Sequence, residues 1–504
     1  MQKSKAVNNQ ECVRLADIPV LSYGAFYQAV TDLLSKPDNH CATYHAFPSG
    51  ADLKFLAAIA DDLTGKIHLL SHLIPYGSQK QLTALTRELY PMHGFEREIA
   101  ENFGVDFIYH PWKKPVRYPW NRADPAQVIN NYPFYKIGGD ELHEVGVGPI
   151  HAGVIESGHF RFLCNGETVL HLEIQLGWQH RGIEQLYLDK PSLLQRTLLS
   201  ESIAGDTAVG HATAFVMAME SLGRLEIDSR LKIERTIAQE LERIAMHVGD
   251  LSNVCIGIAY QLGSSVLGAL RTPVINYAQT WCGNRFGKGL IRAGGTHYPL
   301  NGELVDALNR LLDDFEKRFS TMADRLFSLP SALMRFENIG TVTRKQMELI
   351  GAVGMTARMT GLMRDIRRSH PYGAYTEHPV ELAHARTGDV WARMAIRRQE
   401  IMNSIAYIRQ LLTQLSSEDT HSPKPEIELR LAPDSVVVSL AEGWRGEIGH
   451  CAITNSQGEI SHYKVKDPSF HNWMALALSL RNLEISDFPI NNKSYNLSYC
   501  GHDL

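Results

Sequence analysis

The sequence contains no two cysteines in a C-x-x-C spacing. Its seven cysteines, Cys12, Cys41, Cys164, Cys255, Cys282, Cys451 and Cys500, are odd in number and scattered along 504 residues. That argues against a disulfide framework and against a zinc or iron–sulfur site encoded by local spacing. They read as buried or inert thiols. No window approaches ~18 consecutive apolar residues, so no transmembrane helix is expected. The opening MQKSKAVNNQ lacks the apolar core of a signal peptide. There is no Lys/Arg run interleaved with aromatics and the net charge is −5, so nucleic acid is not an expected partner. The Gly-rich stretch 280–299 holds neither G-x-G-x-x-G nor G-x-x-x-x-G-K-[ST], and H-E-x-x-H does not occur. A phosphate cradle and a short-range metal motif are therefore not expected.

What is present is ordinary globular composition, 44% apolar and 21% charged, ample for a large core and for two or three domains. Residues 1–110 read as a small α+β domain. Helices are expected at Phe26–Leu34, Lys80–Leu89 and Phe95–Phe103, and strands at Ala42–Phe47, Lys54–Ala60 and Lys66–Leu73. Residues 111–140 belong to a Pro/aromatic-rich connecting stretch that cannot form a regular helix. Its aromatics suit a surface segment that anchors two domains or two subunits.

The stretch 144–214 is the one around which the motifs of the chain are organised. It opens on a Gly/Pro turn ending in His151. Two alternating runs, HFRFLC and TVLHLEIQL, then flank Asn165-Gly166, a hairpin signal. His180-Arg181-Gly182-Ile183-Glu184 opens a helical region. Ser192–Ser221, Ser229–Gly263, Glu303–Leu326, Arg344–Ile366 and Asp389–Leu415 read as helices, the second with an apolar stripe at Ile233, Ile237, Leu241, Ile244 and Val248. After the polar loop 416–427 come expected strands at Leu429–Leu440 and Gly449–Asn455, with Lys464–Val465 a candidate third, then a helix at His471–Asn482. The tail 487–504 has no clear period.

These motifs carry a resemblance. Phe95-Glu96-Arg97-Glu98 with Asn102-Phe103-Gly104-Val105 is similar to the acidic signature closing the C-type subunit of the NADH–quinone oxidoreductase (complex I) family. GVGPIHAG (146–153), GHFRF (158–162), HRGIE (180–184), ELERIAMH (240–247), GNRFGKGLIRAGG (283–295), the pattern Arg358…Gly361…Asp365…Arg367, EGWRGE (442–447) and the tail 487–504 resemble the D-type subunit. They resemble still more the large subunit of formate-hydrogenlyase-type nickel–iron hydrogenases. The resemblance implies a fused C/D-type chain. Its α+β N-terminal domain, 1–110, would precede a mainly α, hydrogenase-large-subunit-like (complex I D-type) domain, 141–504, with small β-elements.

The chain departs from both relatives where their chemistry sits. The cysteine pairs that hold nickel and iron in the hydrogenases map to Ala204 and Thr207 and to Pro489–Asn492, none of them cysteine. Soft thiolates are what such a centre needs, so no Ni–Fe centre is expected. The His and Tyr that hold a quinone in complex I fall on Ile155 and Gly205.

By the resemblance, Arg181 would lie near the iron–sulfur cluster of a small subunit, Glu184 would relay protons, and His247 would couple protonation to reduction. With Asp206 they form the expected charge relay. His151, His211, Asp365, Arg367 and Arg445 are the expected lining of a remodelled cofactor cavity. Bland readings stand beside these. Arg181 and Glu184 suit a structural salt bridge, His247 a satisfied core histidine and His151 a turn-packing one. The Asp206–His211–Asp365–Arg367–Arg445 set suits an internal ion-pair network.

The function implied is a soluble-arm subunit of a membrane-bound, complex I-like or hydrogenase-like oxidoreductase that couples electron transfer to proton or ion translocation. Expected partners are a small subunit with a 4Fe–4S cluster and antiporter-like membrane subunits, on the cytoplasmic side of the inner membrane. Quinone or NADH would act at the level of the complex, with no cofactor held firmly by this chain. Alternatives are a non-redox scaffold of an ion- or carbon-transport complex, and a quinone-reducing subunit with a rebuilt pocket.

Overall fold

Residues 52–61 show why the chain starts with a sheet covered on both faces. In the strand LKFLAAIAD successive side chains point to opposite sides. Leu53, Phe55, Ala57 and Ile59 enter one apolar cluster, and Leu56, Ala58 and Ala60 enter another. A strand buried on both faces reads as an unbroken apolar run.

The computed structural model describes residues 3–76, 81–151, 155–415 and 422–504. The chain is a mixed α/β structure. Strand β1 (Lys5–Val7), β2 (Val13–Arg14), β3 (Val20–Leu21) and helix α1 (Tyr23–Leu34) precede the long strands β4 (Asn39–Ser49), β5 (Asp52–Asp61) and β6 (Lys66–Pro75). The sheet runs β1-β6-β5-β4, with β3 parallel to β6. Short β7 (Gln81–Thr83), helix α2 (His93–Phe103) and β8 (Asp106–Ile108) follow. Phe26 and Val30 of α1 and Phe95 and Ile99 of α2 cover one sheet face. The other face shares its cluster with residues such as Phe215 and Ile237 farther along the chain.

The helix expected at Lys80–Leu89 is not formed by the described part, which starts at Gln81. β7 pairs with β8, and Leu85–Arg87 makes a single 3-10 turn. The cause is Glu96 of α2, whose carboxylate accepts the backbone N–H groups of Leu85 (2.6 Å) and Thr86 (3.1 Å). Those donors are held in a turn around one acidic side chain. Glu101 similarly accepts from the backbone of Arg117 (3.0 Å) and Tyr118 (2.6 Å). The Pro/aromatic stretch thus lies on α2, with one helical turn at Ile129–Asn131.

The hairpin around Asn165-Gly166 is β10 (His159–Asn165) and β11 (Thr168–Gln175), joined at its edge by β9 (Leu142–Val147). Residues 152 and 153 of the preceding motif lie outside the described residues, as do 416–421 of the polar loop. Helices α3 (Ile183–Asp189) and α4 (Leu193–Ser200) are short. The single helix expected over Ser192–Ser221 is interrupted at 201–207, where Glu201 turns inward to Arg292 (2.6 Å). It resumes as α5 (Ala208–Gly223), buried all round.

The body is made of long helices: α6 (Ser229–Gly257), capped by Asp228, α7 (Gln261–Cys282) and α8 (Gly302–Ser328). After α9 (Pro330–Phe336), the expected helix Arg344–Ile366 is broken into α10 (Arg344–Ile350), α11 (Gly354–Arg358) and α12 (Ile366–Ser369). Gly351, Gly354 and Gly361 all take positive φ. A Cβ on Gly354 would lie 2.1 Å from Gly446 Cα, so the two backbones touch there. Helix α13 (Val390–Leu412) follows.

Strands β12 (Ser435–Glu442), β13 (Glu447–Thr454) and β14 (Ile460–Lys466) form an antiparallel sheet, and β2 from the start of the chain adds to its edge. The tail holds α14 (Ser469–Ser479), α15 (Phe488–Tyr495) and α16 (Tyr499–Asp503). The last two escape a search for periodicity because they are too short to show one. Their signals are Pro489 in the first turn and Asn496 in the left-handed region after α15. Among the described residues no helix is long and apolar enough to cross a membrane.

Candidate functional site

One face of α6 places Glu240, Arg243 and His247 at helical spacing, all buried. Facing them, α13 carries Glu400, and the 358–367 segment carries Arg358, Asp365 and Arg367. Glu400 is the hub. It accepts from His247 Nε2 (2.5 Å), Arg358 Nη1 (2.6 Å) and Arg367 Nη2 (3.2 Å), and lies 3.6 Å from Arg243. Asp365 takes two bonds from Arg367 (2.9 and 2.7 Å) and forms an ion pair with Arg358 (2.9 Å). Glu240 takes Arg367 (3.2 Å), Tyr375 (2.5 Å) and Ser404 (2.5 Å).

The charges balance in a specific way. Three guanidinium groups face four carboxyl groups, the fourth being Glu442, which accepts from Ile366 N–H at 3.1 Å and lies 3.7 Å from Arg358. Burial, reinforced by the neighbouring Asp365 carboxylate, pushes Glu442 up to about 8. At neutral pH it keeps its proton, leaving three charges of each sign. Burial would raise Glu400 too, but Arg358, Arg243 and the His247 bond hold it well below the usual carboxylate range. Burial drives His247 below its ordinary value despite Glu400, so it is the neutral imidazole that donates to that carboxylate.

A second ion pair lies one residue past the β12–β13 turn's indole. Arg445 donates two bonds of 2.7 Å to Asp206 and one of 3.2 Å to Thr207, and its Nε donates to the carbonyl of Asn496 (2.5 Å). Burial would raise Asp206, but Arg445 outweighs it and holds the carboxyl below its usual range. Trp444 ties this pair to the first network. Its indole N–H donates to the Asp206 carbonyl (2.9 Å), Arg445 lies 3.9 Å over its ring, and His247 meets it edge-on at 6.0 Å. Arg243 in turn donates to the carbonyls of Glu442 (2.9 Å) and Gly443 (3.2 Å). The turn Glu442–Glu447 is therefore the common strut.

A third chain of bonds runs beside it. Tyr463 O–H donates to His450 (2.8 Å), His450 to His211 (3.2 Å), and His211 to Asp467 (3.0 Å). His450 is held well below its ordinary value by burial.

The residues expected at the site thus divide. His247, Asp365 and Arg367 meet through Glu400, and Asp206 and Arg445 join them through Trp444. His211 belongs to the neighbouring chain of rings. Arg181 is exposed and pairs with no carboxylate among the described residues; it donates to the carbonyls of Ser202 (2.7 Å) and Ile203 (2.9 Å), just ahead of Asp206. Glu184 lies apart from this group. It accepts from Lys464 (2.9 Å) and Val465 N–H (3.0 Å), and Lys464 continues to Glu98 of α2. His151 is held at its own turn by the Gly158 carbonyl (2.9 Å). Asp365 and Arg367 saturate one another and face ion-pair partners rather than an open space.

Glu400 and Asp467 are site residues that lie in none of the motifs, while Glu240, Arg243 and Trp444 lie within ELERIAMH and EGWRGE without being named there as site residues. Arg393, Arg397, Glu400 and Ser404 nevertheless form a polar stripe at helical spacing along the buried side of α13. Ala204 and Thr207 are buried, Thr207 immediately precedes α5, and Pro489–Asn492 lie in α15. Among the described residues no group of three or more His, Cys, Asp or Glu side chains is placed to hold a metal ion.

Residues 265–434 match the family model of the respiratory-chain NADH dehydrogenase 49 Kd subunit. The chain is 29% identical over 353 residues to the carbon monoxide-induced hydrogenase of Rhodospirillum rubrum, covering 69% of this chain and 95% of that protein. It is 25% identical over 413 residues to formate hydrogenlyase subunit 5 of Escherichia coli, covering 80% of this chain and 72% of that one. With the D-type subunit of the NADH-quinone oxidoreductase of Dehalococcoides mccartyi the identity is 26% over 351 residues, covering 68% and 92%. With matches on both the hydrogenase and the quinone-reductase side, and with the shared motifs building one charged core, the chain is similar to the complex I 49 Kd proteins and to their hydrogenase relatives alike.

Proposed function

We propose that this chain is a soluble-arm subunit of a membrane-bound, complex I-like oxidoreductase, and that it contributes fixed and movable charge rather than a metal centre. The observation that carries the reading is the Asp206–Arg445 pair. It stands at the segment where hydrogenase relatives hold their first cysteine pair, and it is joined through Trp444 to His247 and Glu400. A guanidinium that spans Thr207 and Asn496 puts a cation where a nickel–iron centre would need thiolates, so the donor set does not fit that centre.

In this reading a neighbouring small subunit holds the 4Fe–4S cluster, and antiporter-like subunits sit in the membrane. Arg181 is exposed, and on α4, which follows it in the chain, Leu194 and Leu198 are about half exposed and one helical turn apart. Such a surface suits the small subunit. Reduction of the cluster would favour proton uptake nearby, and the neutral His247 and the Asp206 carboxylate are groups able to answer it. The fused arrangement, with 1–110 of C type and 141–504 of D type, is supported by the wider coverage by formate hydrogenlyase subunit 5 than by the D-type relative.

The test is purification of the tagged chain from its native membrane. The expected result is co-purification of an iron-containing small subunit without nickel. In that assembly Asp206→Asn and Glu184→Gln should lower electron-transfer turnover several-fold while the assembly stays intact. Stoichiometric nickel, or normal turnover in both variants, would overturn the reading. A second reading has its own support: the charged core is saturated internally, as in a coupling scaffold. An intact assembly that transports its ion without any electron donor would favour that reading.

A further inference from the structure

A cavity of about 570 Å³ lies between α2, the Pro/aromatic stretch, β11 and α14, away from the charged core. That size suits a small organic molecule. One wall is a ladder of stacked rings. Tyr90 lies on His93 (4.7 Å between centroids), His93 on Trp112 (5.4 Å), and the Arg97 guanidinium lies over the Trp112 ring (4.3 Å). Trp473 and Phe470 line the opposite side. Such walls take a flat aromatic body.

The polar groups left over on these walls point to one kind of ligand. His93 is 6% exposed, and its Nδ1 has no hydrogen-bond partner among the described residues. The indole N–H of Trp112 is likewise buried without a partner. Buried polar atoms are seldom left so. The two guanidinium groups of the lining are Arg97 and Arg481; Arg481 is exposed and makes no side-chain hydrogen bond or ion pair among the described residues. The lining's one carboxylate, Glu173, is already engaged by Lys114 and by the backbone N–H of Tyr135 (2.8 Å). What remains is a donor from Trp112, an imidazole and uncompensated positive charge. A cation finds no partner there, and a neutral hydrocarbon leaves the donors unpaired.

We propose that this cavity binds a planar aromatic carboxylate, its ring held between the Tyr90–His93–Trp112 ladder and the Phe470 and Trp473 side, and its carboxylate received by Arg481 and the Trp112 N–H. The inference does not depend on the function proposed above.

The test is titration calorimetry of the full-length protein with 2-naphthoate, 2-naphthalenemethanol and 2-naphthylmethylamine. Saturable one-to-one binding of naphthoate is expected, at least tenfold tighter than the alcohol, with no binding of the amine. Arg481→Gln, at an exposed position, should weaken naphthoate at least tenfold and leave the alcohol unchanged. Ala477→Phe, on the cavity side of α14, should remove binding of both, and its melting curve shows whether the fold survives. Absence of saturable naphthoate binding, equal affinity for acid and alcohol, or an unchanged affinity in Arg481→Gln would each overturn the proposal.

Discussion

Arg445 closes on Asp206 with two parallel hydrogen bonds of 2.7 Å while its guanidinium lies flat on the neighbouring Trp444. The arginine side chain is almost wholly buried, at 4% exposure, whereas Asp206 keeps 35%. The two ends are therefore not equivalent. Removing the carboxylate strands a buried cation, and removing the cation leaves a carboxylate that water can reach. Asp206→Ala is expected to cost more stability than Arg445→Met. The double replacement should recover part of the loss, because breaking one half of a buried pair is worse than removing both. Urea denaturation of the three variants checks the order.

Glu400 is expected to be the most sensitive carboxylate of the core. Glu400→Gln leaves three buried guanidinium groups facing two carboxylates and gives His247 a neutral amide oxygen in place of a charged acceptor. The cost should be about 3–5 kcal/mol, the range for breaking a buried ion pair. Glu348→Gln is the control. Its partner Arg344 lies one helical turn away at 2.8 Å on an exposed surface, so the change should stay within about 1 kcal/mol. Equal losses in chemical denaturation would show that the buried cluster carries no special weight.

The contact of Gly354 with Gly446 is expected to tolerate no side chain. With φ at +60° and Gly446 Cα 2.1 Å from the position of a new Cβ, Gly354→Ala must force β13's turn away from α11. That turn carries Trp444 and Arg445, so the substitution should lower stability and disturb the tryptophan environment together. Gly24→Ala meets nothing within 4 Å in α1 and should raise stability by about 0.5 kcal/mol. Thermal melts followed by near-UV circular dichroism separate the two.

The parts of this chain legible in the sequence are those with a sustained period. The three long strands and the helices α6, α8 and α13 repeat their apolar pattern over enough residues to reveal it. The failures share a cause. At Lys80–Leu89, side-chain carboxylate bonds from Glu96 replace the helical ones. At Arg344–Ile366, three glycines at positive φ divide a periodic stretch into pieces. The last two helices, α15 and α16, are one or two turns long, shorter than any period can show. For the site, motifs brought Asp365, Arg367, His247, Asp206 and Arg445 into view because each sits in a recognisable segment. Glu400 escaped because it lies in none, and only its pairing across α6 and the 358–367 segment gives it meaning. Glu184 shares a motif with Arg181, yet the helix turn between them sends it toward Lys464 and α2.

Protonation of Glu442 gives the last expectation. Its folded value, about 8, lies above the ordinary carboxylate value of 4.5. The folded state therefore holds a proton that the unfolded state releases first. The contribution is fully present below about pH 4.5 and is lost as pH rises toward 8. Glu400, Asp206 and Asp467 act in the opposite sense. Their carboxyls are held low by Arg358, by Arg445 and by the His211 bond respectively, against the burial that would raise them. Their stabilisation is present above the ordinary carboxylate range and fails as pH falls through their lowered values. The melting temperature should thus fall on both sides, steeply in acid and gradually from weakly acidic to weakly alkaline pH. Glu442→Gln copies the protonated form, keeping an acceptor for the Ile366 N–H and no charge near Asp365. It should make the alkaline slope shallower, the remainder coming from Glu96 at about 7 and Glu242 at about 8, which burial also raises, and leave the acid limb in place. Melting curves between pH 3 and 9 decide it. A variant that keeps the wild-type slope above pH 5 would show that Glu442 is already ionised in the folded core, and the balance of three charges against three would have to be abandoned.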